Sequence, residues 1–204
     1  MGVLRMHFRS GPIFAIILMI VFSAGCLFEP RDPEPPGNNQ IDYLPATDTD
    51  NVLENLQRAI GALDPNGYER MLSSDFAYEP DGGALANYPD VDWERWDSDQ
   101  EVAFMAGFLS NVVGVTADLK AEEFGDIPGP SEAELRYVYA LTVTEIGDSE
   151  VKYRAQATLE FRIDGTEWRL SRWIDEQGET DPESNALLPS LGQRRGAFAA
   201  SGGS

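Results

Sequence analysis

The segment from Ser131 to Asp164 contains two runs of alternating apolar and polar residues, separated by a turn at Gly147–Ser149. Residues two apart in a strand share one face, so each run predicts a strand with one apolar face and the pair predicts a long β-hairpin. The apolar stripe comprises Leu135, Tyr137, Tyr139, Leu141, Val143, Val151, Tyr153, Ala155, Ala157, Leu159, Phe161 and Ile163. The outer stripe of the second run comprises Lys152, Arg154, Gln156, Thr158, Glu160 and Arg162, and we expect it to face solvent.

Helical spacing, capping residues and further alternation predict the elements on either side of the hairpin. In chain order they are a helix over 52–63, a second helix from Pro65, a strand over 75–79, a loop over 84–97, a third helix from Ser98, a strand over 112–120 and a last strand over 167–175. Ser98 and Glu101 match a capping box at the start of the third helix. Three helices followed mainly by long strands predict an α+β fold.

The order of these elements resembles the nuclear transport factor 2-like superfamily, also called the cystatin-like or polyketide-cyclase-like roll, over about residues 46–177. The resemblance is carried by VLENLQRAIGALDPNGYERMLSSDFAYEP at residues 52–80 and by TEWRLSRWIDE at residues 166–176. It implies three N-terminal helices packed in a strongly curved antiparallel sheet, a cone-shaped roll with a central pocket. Enzymes of this superfamily place carboxylates inside the cone, but the fold hosts many unrelated functions.

Residues 1–25 match a secretory signal peptide, with Arg5 and Arg9 before an apolar run that is shorter than the ~20 residues of a spanning helix. The segment from Ser23 to Cys26 resembles a bacterial lipobox, although Ser23 replaces the usual aliphatic residue. The resemblance implies lipidation of Cys26 and anchoring in the cell envelope, and Leu27 in the next position implies the outer membrane. Cleavage without lipidation, or an uncleaved anchor, is the alternative.

Composition divides the rest of the chain into three parts. Residues 26–45 are rich in proline, glycine and charge, which predicts an extended tether. Residues 46–177 form the predicted roll domain. Residues 178–204 are polar and rich in glycine and serine, so we expect a flexible tail.

The charge of the chain limits its partners. Fifteen Lys and Arg against 35 Asp and Glu give a net charge of −20, which disfavours nucleic acid. The only cysteine is Cys26 and the only histidine is His7, so the predicted roll lacks a thiolate, an imidazole base and soft-metal ligands. We therefore predict no cofactor and no metal.

The inward stripe of the hairpin contains no ionisable carboxyl or basic group, which counts against acid–base catalysis in the cone. Asp118 and Arg172 remain as pocket candidates from neighbouring strands, with salt bridges at the rim as the alternative. Tyr137, Tyr139 and Tyr153 could contribute hydroxyl groups to a ligand site or simply fill the core.

The loop before the third helix is dense in aromatic and acidic residues. Trp93 and Trp96 are candidates for ligand contact, either as an exposed recognition patch or as a lid over the cone. Acidic residues at 90, 92, 94, 97, 99 and 101 suggest a solvated loop and a capped helix. Calcium binding is the alternative, although the glycine-punctuated spacing of a calcium loop is missing.

These observations favour a membrane-anchored envelope lipoprotein whose non-catalytic roll domain binds a protein partner or an apolar small ligand. The alternative is a small isomerase, cyclase or hydrolase that uses polar groups in the cone. The resemblance also implies a homodimer through the outer sheet face as an alternative assembly, and the charged stripe from Lys152 to Arg162 counts against it.

Overall fold

A computed structural model describes residues 41–202, so the signal peptide, Cys26 and most of the tether lie outside the described residues. The helices are α1 (Thr49–Gly61), α2 (Pro65–Glu69), α3 (Gly82–Asn87), α4 (Ser98–Ser110) and α5 (Gly192–Ala200), with a 3₁₀ turn at Trp93–Arg95. The strands are β1 (Leu72–Glu79), β2 (Val112–Ile127), β3 (Glu132–Glu145), β4 (Glu150–Asp164) and β5 (Glu167–Gly178). Within residues 41–202, no helix is long and apolar enough to cross a bilayer.

One five-stranded sheet has the order β1-β5-β4-β3-β2. The neighbours from β2 to β5 pair antiparallel, whereas β1 joins β5 in parallel. The curled sheet and its helices confirm the predicted α+β class and cone shape. The parallel pairing of β1 is an addition that the sequence pattern did not indicate.

The predicted hairpin is β3 and β4. Tyr137 pairs with Ala157 and Tyr139 with Ala155, so each large ring faces a small residue on the next strand. The stripe is buried from Leu135 to Val143 and from Tyr153 to Phe161, which confirms it as the inner face of the sheet. The stripe ends at Ile163, which is 41% exposed.

The helix starts follow the capping residues closely. Asp48 caps α1 by accepting from the amide of Asn51 at 2.8 Å, and Asp64 caps α2 with Pro65 at the first helical position. The capping box of α4 lies one residue earlier than predicted, because Asp97 and Gln100 exchange its two bonds. Glu101 is buried and binds inside the cone instead.

A bulge in β5 changes which side chains face the cone. Phe161 pairs with Leu170, but Glu160 pairs with Arg172, so Ser171 has no partner on β4. An extra residue reverses the alternation of a strand. Arg172 therefore lies on the outer face, while Trp173 and Asp175 face inward.

The outer stripe of β4 is less solvated than expected. The side chain of Arg154 pairs with Glu122, and the residue is only 8% exposed. The amide of Arg154 donates to the carbonyl of Pro189 at 3.0 Å, and the amide of Glu179 donates to the carbonyl of Arg154 at 2.8 Å. Residues 179–189 thus pair with the backbone of β4 beside this stripe.

The flexible tail predicted from residue 178 is replaced by ordered structure that ends in α5. Gly192 and Gly196 lie one turn apart in α5 and allow the helix to pack closely against the domain. A Cβ atom on Gly196 would lie 2.2 Å from Cδ2 of Tyr88, and one on Gly192 would lie 2.5 Å from the hydroxyl of Tyr78. These glycines permit close packing of α5. From composition alone, the same glycines had predicted a flexible chain.

Gly196→Ala should destabilise the protein by about 1–3 kcal/mol, because the new methyl group would overlap the ring of Tyr88. Thermal or urea unfolding measures the change. Gly82→Ala is the matched control, since no atom lies within 4 Å of its added Cβ. Equal stability of both variants would contradict the packing of α5.

Candidate functional site

The cone encloses a buried ion cluster. Arg195 of α5 and Glu101 of α4 are each 0% exposed, and Asp175 of β5 is 2% exposed. Nε of Arg195 donates to Oε2 of Glu101 at 2.8 Å, and Nη2 donates to Oε1 at 2.6 Å. Nη1 of Arg195 lies 3.9 Å from Oδ2 of Asp175. Arg195 thus forms a two-pronged ion pair with one carboxylate and faces a second.

Aromatic rings surround the guanidinium group. Its carbon lies 4.1 Å from the ring centroid of Tyr78 and 5.1 Å from the centroids of Phe104 and Trp173. Electron-rich ring faces attract a cation at these distances, most strongly when water is excluded. The rings therefore compensate part of the cost of removing Arg195 from water.

Glu101 is fully engaged in hydrogen bonds. Besides the two bonds from Arg195, Oε1 accepts from the hydroxyl of Tyr68 at 2.8 Å and Oε2 accepts from Nε1 of Trp96 at 2.8 Å. A buried carboxylate is tolerated when all of its acceptor atoms have donors.

Asp175 is held in the same way. Oδ2 accepts from the hydroxyl of Tyr78 at 2.7 Å and from the amide of Gly192 at 3.2 Å, and Oδ1 accepts from Nε1 of Trp173 at 2.8 Å. Burial raises the pKa of Asp175, while Arg195 and these donors act in the opposite direction. The amide of Gly192 is at the start of α5, so Asp175 also fixes that helix.

The tyrosine hydroxyls of the cone serve as hydrogen-bond donors and acceptors. Burial raises the pKa of Tyr68, Tyr78 and Tyr139 well above the ordinary value of 10, and the nearby carboxylates raise it further. These hydroxyls therefore remain protonated. The hydroxyl of Tyr139 accepts from the amide of Leu191 at 2.7 Å, next to α5.

Only some of the residues singled out in the sequence meet at this cluster. Tyr139 and Trp96 contact it, and Tyr153 is buried on the same sheet face. Trp93 and Trp96 are stacked in the core, with ring centroids 5.3 Å apart, so they do not form an exposed patch. The hydroxyl of Tyr137 instead binds Asp126 at 3.1 Å.

Arg172 and Asp118 lie outside the cone. Arg172 pairs with Glu79 and lies 3.8 Å from Glu160. Asp118 is exposed and accepts from the amide of Lys120 at 2.9 Å. Both residues therefore lie at the surface or rim, which was the alternative to a position in the pocket.

The acidic residues around α4 separate into two groups. Those at 90, 92, 94, 97 and 99 are exposed, and only Glu101 is buried. Among residues 41–202, no three His, Cys, Asp or Glu side chains are arranged to hold a metal ion.

Solved structures with a similar chain path were found, whereas no family model and no curated protein matched. A candidate aromatic ring hydroxylase from Novosphingobium aromaticivorans is 11% identical, with a TM-score of 0.53 over 71% of this chain and 92% of that one. A candidate scytalone dehydratase from the same species is 12% identical, with a TM-score of 0.53 over 69% and 89%. A nuclear transport factor 2-like superfamily protein from Salmonella enterica is 12% identical, with a TM-score of 0.49 over 66% and 92%.

The two structures with TM-scores of 0.53 share the cone-shaped α+β fold of this chain. Identities this low show the fold alone. The buried cluster is therefore interpreted from its own geometry.

The charged groups inside the cone were missed in the sequence because they do not come from the hairpin. Glu101 has a signal in the sequence: it falls on the helical stripe that continues with Phe104, Met105 and Phe108. Asp175 faces inward only because of the bulge at Ser171. Arg195 lies in the segment predicted to be a flexible tail.

A crevice lies between residues 87–92 and α5. Its volume is about 370 Å³. Its lining residues are Asn87, Tyr88, Pro89, Asp90, Val91, Asp92, Trp96, Gln100, Phe198, Ala199 and Ala200. Trp96 links the crevice to the cluster, since its indole lines the crevice while its N–H binds Glu101.

Arg195→Met should lower the free energy of unfolding by about 3–5 kcal/mol, because it leaves two buried carboxylates without their cation. Urea unfolding measures the loss. Arg194→Met is the matched control: Arg194 pairs with Glu145 at the half-exposed surface and its loss should cost ~1 kcal/mol or less. A loss for Arg195→Met no larger than for the control would contradict the cluster.

Proposed function

We propose that this protein is a membrane-anchored envelope lipoprotein whose cone domain is a non-catalytic binding module, closed from within by α5. The observation that carries the proposal is the position of Arg195. It occupies the interior of the cone, where enzymes of this fold hold a substrate beside their carboxylates.

A general base needs a free lone pair within reach of substrate. All four oxygens of Glu101 and Asp175 accept hydrogen bonds from protein groups. Both side chains are also shielded from solvent. This arrangement supports a structural role for the carboxylates and leaves binding to the outside of the cone.

The lipobox at residues 23–26 supports anchoring, and the start of the domain supports a tether. The side chain of Asn55 in α1 binds both backbone groups of Leu44, accepting from its amide and donating to its carbonyl at 2.8 Å each. The chain thus joins the domain at a fixed point just after the proline-rich segment. A lipid on Cys26 would hold the domain at the membrane without a spanning helix.

A small isomerase, cyclase or hydrolase is the second candidate function. The observation that favours it is the convergence of Glu101 and Asp175 with three tyrosines, which is a common arrangement at catalytic sites. This function requires α5 to leave the cone so that substrate can enter.

Cys26→Ser should move the full chain from the membrane fraction to the soluble fraction and abolish labelling by a fatty-acid analogue in bacterial cells. The thioether that would carry the lipid cannot form on serine. Ser23→Leu is the matched control, since it restores the usual aliphatic residue of a lipobox and should keep the label. Persistent labelling of Cys26→Ser would contradict the anchoring proposal.

A further inference from the structure

We propose that the crevice between residues 87–92 and α5 binds a small organic cation, an alkylammonium ion with an apolar substituent. This inference rests on the proposed function, because it names the ligand class of the binding module. It also places the ligand outside the interior of the cone, which Arg195 occupies.

The crevice has the size and lining of a small-ligand site. Pockets for small molecules commonly range from about 300 to 1,000 Å³ and are mainly apolar with a few polar groups. The crevice has a volume of about 370 Å³, and the half-buried rings of Tyr88 and Phe198 contribute aromatic surface to it, whereas Trp96 in the same lining is only 4% exposed. An aromatic or alkyl group therefore fits the lining.

The charge of the lining selects a cation. Asp90 and Asp92 are exposed carboxylates in the lining, which contains no Lys, Arg or His. Arg95 lies 3.5 Å from Asp92, but its side chain is 83% exposed and does not line the crevice. Exposed pairs of this kind are weak, so Arg95 leaves the lining negative.

Aromatic rings beside carboxylates form the chemistry that recognises alkylammonium ions. The ring faces attract the cation and tolerate its methyl groups, which cannot donate hydrogen bonds. A bare metal cation would gain less binding free energy from such a lining. The combination in this crevice therefore favours a methylated or otherwise apolar ammonium over a bare inorganic cation.

The walls of the crevice are fixed before a ligand arrives. Gly196 lets α5 pack against the ring of Tyr88, and Phe198 packs edge-on against Phe104 with ring centroids 5.7 Å apart. Trp96 is held by Glu101 and by stacking on Trp93. Little conformational entropy is then lost on binding.

Isothermal titration of the full chain in neutral maltoside detergent tests this inference, with benzyltrimethylammonium as the probe. Phenylacetate and benzyl alcohol are the anionic and neutral comparisons, and detergent alone is the blank. We expect the cation to bind roughly tenfold more tightly than either comparison, since only it gains from both the carboxylates and the ring faces.

Two variants locate the site. Asp90→Asn with Asp92→Asn should weaken binding of the cation by about tenfold, and Ala199→Trp should abolish it by filling the crevice. Glu94→Gln with Asp99→Asn is the matched control, because it removes the same charge from the same segment outside the lining. If Ala199→Trp fails to fold by circular dichroism, the two acidic pairs decide.

Equal binding of all three probes, no binding of the cation, or equal weakening by both acidic pairs would overturn the inference. Those results would leave the labelling of Cys26 and the stability of Arg195→Met unchanged. Failure of this inference is therefore distinguishable from failure of the proposed function.

Discussion

The ion pair between Arg195 and Glu101 is the interaction on which the rest of the structure depends. It joins the last helix of the chain to α4, and Asp175 extends the connection to β5. Removing two charges from water costs several kcal/mol per ion, so such a pair persists only with nearly complete hydrogen bonding. The tyrosine and tryptophan donors around both carboxylates supply that bonding. The cluster therefore specifies where α5 must sit more than it adds net stability.

This ion pair limits the space for a ligand inside the cone. In a cone-shaped fold the interior is the natural ligand site, but here the protein supplies its own cation to it. One space outside the cone is the crevice between residues 87–92 and α5, and α5 itself forms one of its walls. The same helix thus places Arg195 inside the cone and forms a wall of the proposed binding site. Gly196 contributes to both, because its contact with Tyr88 sets the position of the helix and of the crevice wall.

Sequence patterns predicted the hairpin, the helix starts and the cone because each depends on local spacing. Period-two alternation is enough to place Tyr139 inside, and Asp48 and Asp64 mark their helices without tertiary information. Predicting the charged residues of the interior requires tertiary information as well. The bulge at Ser171 reverses the alternation after it, so a regular pattern assigns Asp175 to the wrong face. The glycines of α5 predict a flexible chain from composition, because the sequence does not show that the ring of Tyr88 packs against Gly196.

We infer that α5 closes the cone as a permanent part of the domain. Backbone hydrogen exchange in native conditions tests it most directly, since local opening exposes the amides of one element while the others stay protected. We expect the amides around Arg195 to exchange about as slowly as those of β3 and β4. Exchange in α5 that is orders of magnitude faster, with both strands still protected, would show an opening cone and contradict it.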